Sequence, residues 1–176
     1  MSILEYFRRD PTHGWQERVP VPLVYDLARR ELNGIPLGAP VERLRQLGRP
    51  GNRRPTWIGI FGFPRLGIQV HLHMDRVASV SCVFRAKLGD TEVDEHPDFR
   101  PCEIELLLGS GERVRISPRT RRDEIERRFG PLTPDRSEPA FAVLGVVVDG
   151  VPLTFELDSD DRLRILDIEP EDPVQP

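Results

Sequence analysis

The chain carries one pattern twice. Val41-x-x-Leu44-x-x-Leu47-Gly48-x-Pro50 is echoed by Asp123-Glu124-Ile125-x-x-x-Phe129-Gly130-Pro131. Each is followed by a glycine and an alternating apolar run, Gly67-Ile68-x-Val70-x-Leu72-x-Met74-Asp75 and Gly150-Val151-x-Leu153-x-Phe155-x-Leu157-Asp158. Gly130 stands 82 residues after Gly48, and Gly150 stands 83 after Gly67. Self-similarity at a fixed period marks an internal repeat. Two helix-then-strand units in tandem are therefore expected. Units of this size are marginal alone, because a chain that short buries only about 60% of its unfolded surface. The sheets of the two units are therefore expected to lie adjacent or to be continuous.

The expected fold class is α+β, each repeat packing one short helix on an antiparallel β-sheet. The expected divisions are an N-terminal arm over 1–22, repeat 1 over 23–84, a charged connector over 85–101, repeat 2 over 102–169 and a tail over 170–176. Leu23 to Ile35 fits either a helix ended by Asn33-Gly34 or alternating strands. Analogy with Ile104-x-Leu106-x-Leu108, turned by Gly109-Ser110-Gly111 into Val114-x-Ile116, favours a hairpin in both places. Helices are expected over Pro40–Leu47 and from an N-cap at Thr120 to Gly130. Strands follow over Trp57–Phe63, Gly67–Met74, Val77–Phe84, Phe141–Val148, Val151–Leu157 and Leu163–Ile168. The Pro- and Arg-rich stretches Arg49–Pro55 and Leu132–Pro139 read as loops.

The sharpest local constellation is His71-x-His73-x-Asp75. Residues two apart on a strand share a face, so two imidazoles and a carboxylate line up as ligands that zinc or a related metal accepts. The matching face of the second copy reads Thr154, Glu156, Asp158, polar but without imidazole, which makes a wetted sheet face the simpler account. No cofactor is expected. His13 and His96 stand beside no nucleophile, and Ser79, Ser81 and Ser110 sit in no strand–turn–helix elbow. The chain is accordingly read as non-enzymatic.

Arg43, Arg45, Arg49, Arg53 and Arg54 cluster near Trp57, a mixture that can stack bases. A second run, Arg119 to Arg128, is interleaved with Asp123, Glu124 and Glu126 and reads as helix-surface ion pairs. Net charge is −4, which opposes a nucleic-acid partner. Charge is uneven: residues 1–84 hold 12 Arg against 7 acids, net +5, and residues 85–176 are net −9. An acidic face awaiting a basic partner is one outcome of such asymmetry. Aromatics and arginines dominate interface hot spots, so Trp57, Phe61, Arg53 and Arg54 are the candidate binding residues.

No window approaches the roughly 18 apolar residues needed to cross a bilayer, and no membrane role is expected. Met1 is followed by Glu5, Arg8, Arg9 and Asp10 rather than an apolar leader. The two cysteines, Cys82 and Cys102, form no C-x-x-C pair. A cytoplasmic location is expected on these grounds.

Gly38-Ala39-Pro40-Val41-Glu42-Arg43-Leu44-x-x-Leu47-Gly48-Arg49-Pro50, with Phe129-Gly130-Pro131 as its echo, resembles the tandem helix-plus-sheet units of β-lactamase-inhibitor-protein-like folds and of small outer-membrane assembly lipoproteins. That resemblance spans about 23–169 and implies a binding scaffold whose sheet surface grips another protein. The chain departs from the pattern in lacking a lipoprotein leader and a disulfide pair within each repeat, so export, β-lactamase inhibition and specific binding residues do not carry over. The expected function is a non-enzymatic protein-binding module of immunity or inhibitor type. The alternative is a metal-binding protein or enzyme working from His71, His73 and Asp75.

Overall fold

A computed structural model describes residues 12–17, 22–52, 55–56, 59–85, 96–138 and 141–169. Expectations for most of the arm, for Arg53, Arg54 and Trp57, for most of the connector and for the tail lie outside the described residues. The fold is α+β and dominated by strands, with two sheets and two short helices among the described residues.

Strands β1 (Leu23–Asp26), β2 (Glu31–Leu32) and β3 (Ile35–Pro36) come first, then a 3-10 helix over Val41–Leu47. Strands β4 (Ile60–Phe63), β5 (Ile68–His73) and β6 (Arg76–Val83) follow as a meander. The second half runs β7 (Ile104–Leu107), β8 (Arg113–Ile116), helix α1 (Arg122–Phe129), then β9 (Thr133–Glu138), β10 (Phe141–Val148), β11 (Val151–Asp158) and β12 (Leu163–Ile168). Leu23 to Ile35 thus resolves into strands, with Tyr25 opposite Leu32.

Both halves feed both sheets. The five-stranded sheet has the order β3-β2-β1-β7-β8 and the seven-stranded sheet β4-β5-β6-β12-β11-β10-β9. The two halves meet at β6 and β12, antiparallel, with Cys82 opposite Leu166. They also meet at β1 and β7, which are parallel, with Tyr25 opposite Leu106. The parallel pair departs from the expectation of purely antiparallel sheets. It arises because each half contributes its first strand to the middle of one shared sheet.

Alternation sets which face is buried. Along β11, Val151, Leu153, Phe155 and Leu157 are buried while the residues between them are not. Strands β7 and β8 alternate in the same way. The buried faces of both sheets and both helices form one continuous core. Val41, Leu44 and Leu47 are the buried residues of the 3-10 helix. Their strict spacing of three eclipses on a helix of three residues per turn, so all three point inward together. Gly48 and Gly130 end the helices at φ 97° and 88°, a region costly to residues with a Cβ.

Two local expectations need correction. Thr120 does not cap α1. Its Oγ accepts from the Ser117 N–H at 3.1 Å, and Arg121 holds the cap position without a side-chain hydrogen bond. Residues 132–139 are not simply a loop, because β9 forms there as the edge strand of the larger sheet. Pro134 is tolerated because an edge strand needs only half of its ladder donors.

Candidate functional site

The outer face of the seven-stranded sheet holds the sharpest sequence candidate. His71 and His73 do share a face of β5, and Asp75 sits in the following turn at φ 60°. They do not converge. The His71 ring lies over the sheet, with Nε2 3.0 Å from the Ser81 hydroxyl, while His73 and Asp75 are exposed at the hairpin end. Among the described residues no three His, Cys, Asp or Glu side chains gather to hold a metal ion. Burial lowers the His71 pKa against the opposing pull of Glu169, so the imidazole is neutral at pH 7.

Strand pairing places His71 beside a polar row that the sequence does not announce. Gln69 lies opposite Ser81, Ser81 opposite Asp167 and Asp167 opposite Thr154. Gly62 borders the row on β4 and Gly145 on β10. The row spans the sheet at right angles to its strands, low at both flanks where side chains are missing. Gln69 and Ser81 are buried, and among the described residues Gln69 Nε2 has no hydrogen-bond partner.

Burial pushes the Asp167 carboxyl above the usual carboxylate range, and nearby Glu169 adds to the rise, while a hydrogen bond with Ser81 works against it. An acid whose folded pKa is raised contributes stability below its unfolded value and loses it as pH rises through the folded value. Ionised Asp167 is therefore a cost at neutral pH. Asp167→Asn should stabilise the fold by about 0.5–1 kcal/mol at pH 7. Well below the ordinary carboxylate range, where Asp167 is protonated in both states, the gain should vanish. Urea unfolding at two pH values checks this; an equal effect at both would show that ionisation is not the cause.

On the same outer face, β10 is unusual. Its sequence FAVLGVVV is apolar on both sides, the composition of a strand covered on both faces. Yet Val147 is 64% exposed and Val143 is half-buried. Val147 stands opposite Pro152, which carries the apolar surface onto β11, whereas Val143 stands opposite the charged Glu156.

Of the candidate binding residues, Phe61 is fully buried. It faces Val70 across β4 and β5, and the Trp15 ring lies 6.2 Å away. Its place is in the core, so it presents no surface to a partner. Arg49, from the first arginine cluster, lines a cleft of about 300 Å³ with Leu47, Gly51, Phe63, Arg65 and His96. There Arg65 bridges Glu17 at 2.8 Å and Asp98 at 3.2 Å. All three side chains are well exposed, so these pairs add little stability. The Asp98 N–H donates to His96 Nδ1 at 3.1 Å, and among the described residues no Ser, Thr, Cys or Lys lines the cleft. The second arginine run makes helix-surface ion pairs, Arg122–Glu126 at 2.9 Å and Arg127–Asp123 at 3.2 Å, and Arg128 reaches Glu112. No helix among the described residues is long and apolar enough to cross a membrane.

No protein-family model and no curated protein sequence matches the chain. In fold it is similar to the crystal structure of a DUF4309 family protein, YjgB, from Bacillus subtilis subsp. subtilis strain 168. The TM-score is 0.52 at 10% sequence identity, over 82% of this chain and 90% of that one. At that identity the likeness concerns the fold alone.

Proposed function

We propose that this chain is a non-enzymatic binding module that grips another protein with the outer face of its seven-stranded sheet. The observation that carries the reading is β10, a strand of two-sided apolar sequence whose outer row is exposed at Val147 and half-buried at Val143. Open apolar patches on otherwise polar surfaces mark interaction sites. The net −9 of residues 85–176 favours a partner with a basic rim around apolar contacts. The polar row beside β10 supplies hydrogen-bonding groups without the nucleophile–base geometry of catalysis. Affinity capture at physiological salt tests the reading. A stoichiometric protein should be retained by the wild-type chain and lost with Val143→Asp/Val147→Asp, while the melting temperature stays within a few degrees. Equal retention by both, or no partner at all, would count against the proposal.

Two diverged copies of one unit remain our reading of the architecture. It is supported by the matching order of strands, helix and meander in each half, and by like helix ends at Gly48 and Gly130. The ladders β5–β6 and β11–β12 each contain a bulge, at His71/Leu72 and at Glu156/Leu157. Homologous sequences whose two halves align to one profile would bear this out; halves sharing no profile would overturn it.

A further inference from the structure

Cys82 and Cys102 are 20 positions apart in sequence and meet in the core. Cys82 is a core-facing residue of β6, opposite Ile68 on one side and Leu166 on the other. Cys102 lies just before β7, and both residues are fully buried. The Cys102 N–H donates to the Val83 carbonyl at 2.8 Å, which holds its backbone along the end of β6. The turn at Gly67 presses on it from the other side, so close that a Cβ there would lie 2.4 Å from Cys102 N and 2.9 Å from its Cα. So clamped, Cys102 lies close enough to Cys82 for that neighbour to help hold the Cys102 thiol protonated. Among the described residues the buried Tyr25 hydroxyl has no hydrogen-bond partner.

We propose that Cys82 and Cys102 form a redox-active disulfide site, oxidised by a small-molecule disulfide, that ties β6 of the seven-stranded sheet to the entry of β7 in the five-stranded sheet. The thiolate of one cysteine attacks the small disulfide, forms a mixed disulfide and expels one small thiol. The second cysteine then attacks the protein sulfur of that mixed disulfide and expels the other. The protein loses two protons and two electrons, and the small disulfide is reduced to two thiols. Because the Cys102 N–H already bonds the carbonyl of the residue after Cys82, closure keeps the strand order and needs the two Cα atoms to settle within the roughly 4.4–6.8 Å that a disulfide spans. Burial raises the Cys102 thiol well above its ordinary range. Exchange is therefore slow at neutral pH and quickens by up to about tenfold per pH unit. Closing the loop between the two cysteines restricts the unfolded chain and should raise the melting temperature by roughly 5–10 °C.

The full-length chain, incubated with excess oxidised glutathione at pH 8 and alkylated in denaturant, provides the test. The expected result is a monomer lighter by two hydrogens, with no alkylatable thiol and a raised melting temperature, all reversed by dithiothreitol. Cys82→Ala and Cys102→Ala should each block the mass loss and the thermal shift; melting curves of the reduced variants establish that they are folded. The proposal is overturned if both thiols survive conditions that oxidise the denatured chain. Glutathione adducts or dimers alone, or an internal bond that leaves the melting temperature unchanged or lowered, would also overturn it.

Discussion

Gly67→Ala is expected to destabilise the fold by about 2–5 kcal/mol, a large share of the roughly 5–15 kcal/mol that holds a typical domain folded. Gly67 sits at φ 65°, where an L side chain is strained, and its missing Cβ is where other backbone lies. A methyl there would come 2.4 Å from both the Arg100 carbonyl oxygen and the Cys102 nitrogen. Neither atom belongs to a flexible side chain, so the lead-in to β7 must move. Gly130→Ala provides the control. Its φ is 88°, but a methyl on Gly130 would meet no atom within 4 Å, so only the conformational cost of about 1–2 kcal/mol remains. Denaturant unfolding of the two variants separates close approach from backbone strain. Equal losses would mean that the chain before β7 does not rest on the Gly67 turn.

Phe155→Ala should cost about 3–5 kcal/mol. Phe155 is fully buried on the core face of β11, and its ring stacks on Phe129 of α1, with centroids 6.0 Å apart and planes 29° apart. Ile125 is the one fully buried side chain of that helix, so the Phe129–Phe155 contact is its second anchor. Phe129 is only half-buried, and Phe129→Ala should cost less than the change at Phe155. A double-mutant cycle should give a coupling of about 0.5–1.5 kcal/mol, the range for aromatic pairs. Additive losses would mean that the rings do not support each other and that α1 docks by Ile125 alone.

Local structure was legible because it is written locally. Alternation over Val151–Leu157 names the buried side of β11, the spacing of Val41, Leu44 and Leu47 names one helix face, and Gly48 and Gly130 stop both helices. The pairing of the halves was not legible. Nothing within Leu23–Asp26 signals a parallel partner 81 residues on, at Ile104. The assembly of Gln69, Ser81 and Asp167 into one row depends on β6 meeting β12, a long-range choice. Spacing placed His71 and His73 on one face but could not place their partners, since His71 Nε2 lies 3.0 Å from the Ser81 hydroxyl. Phe61 misled for a different reason: an aromatic beside arginines suits an interface, but strand alternation directs it toward Val70 and the core. Strand β9 was hidden by Pro134 and Asp135, residues that read as a turn unless the strand is an edge.

Binding through the outer sheet face is tested most directly by measuring the affinity of the captured partner for the wild-type chain and for Val143→Asp/Val147→Asp, with His71→Ala/His73→Ala alongside. Charge on β10 should weaken binding at least tenfold, while loss of the two imidazoles should change it far less. Unchanged affinity with the β10 variant, or binding abolished only by the histidine changes, would contradict a partner seated on Val143 and Val147.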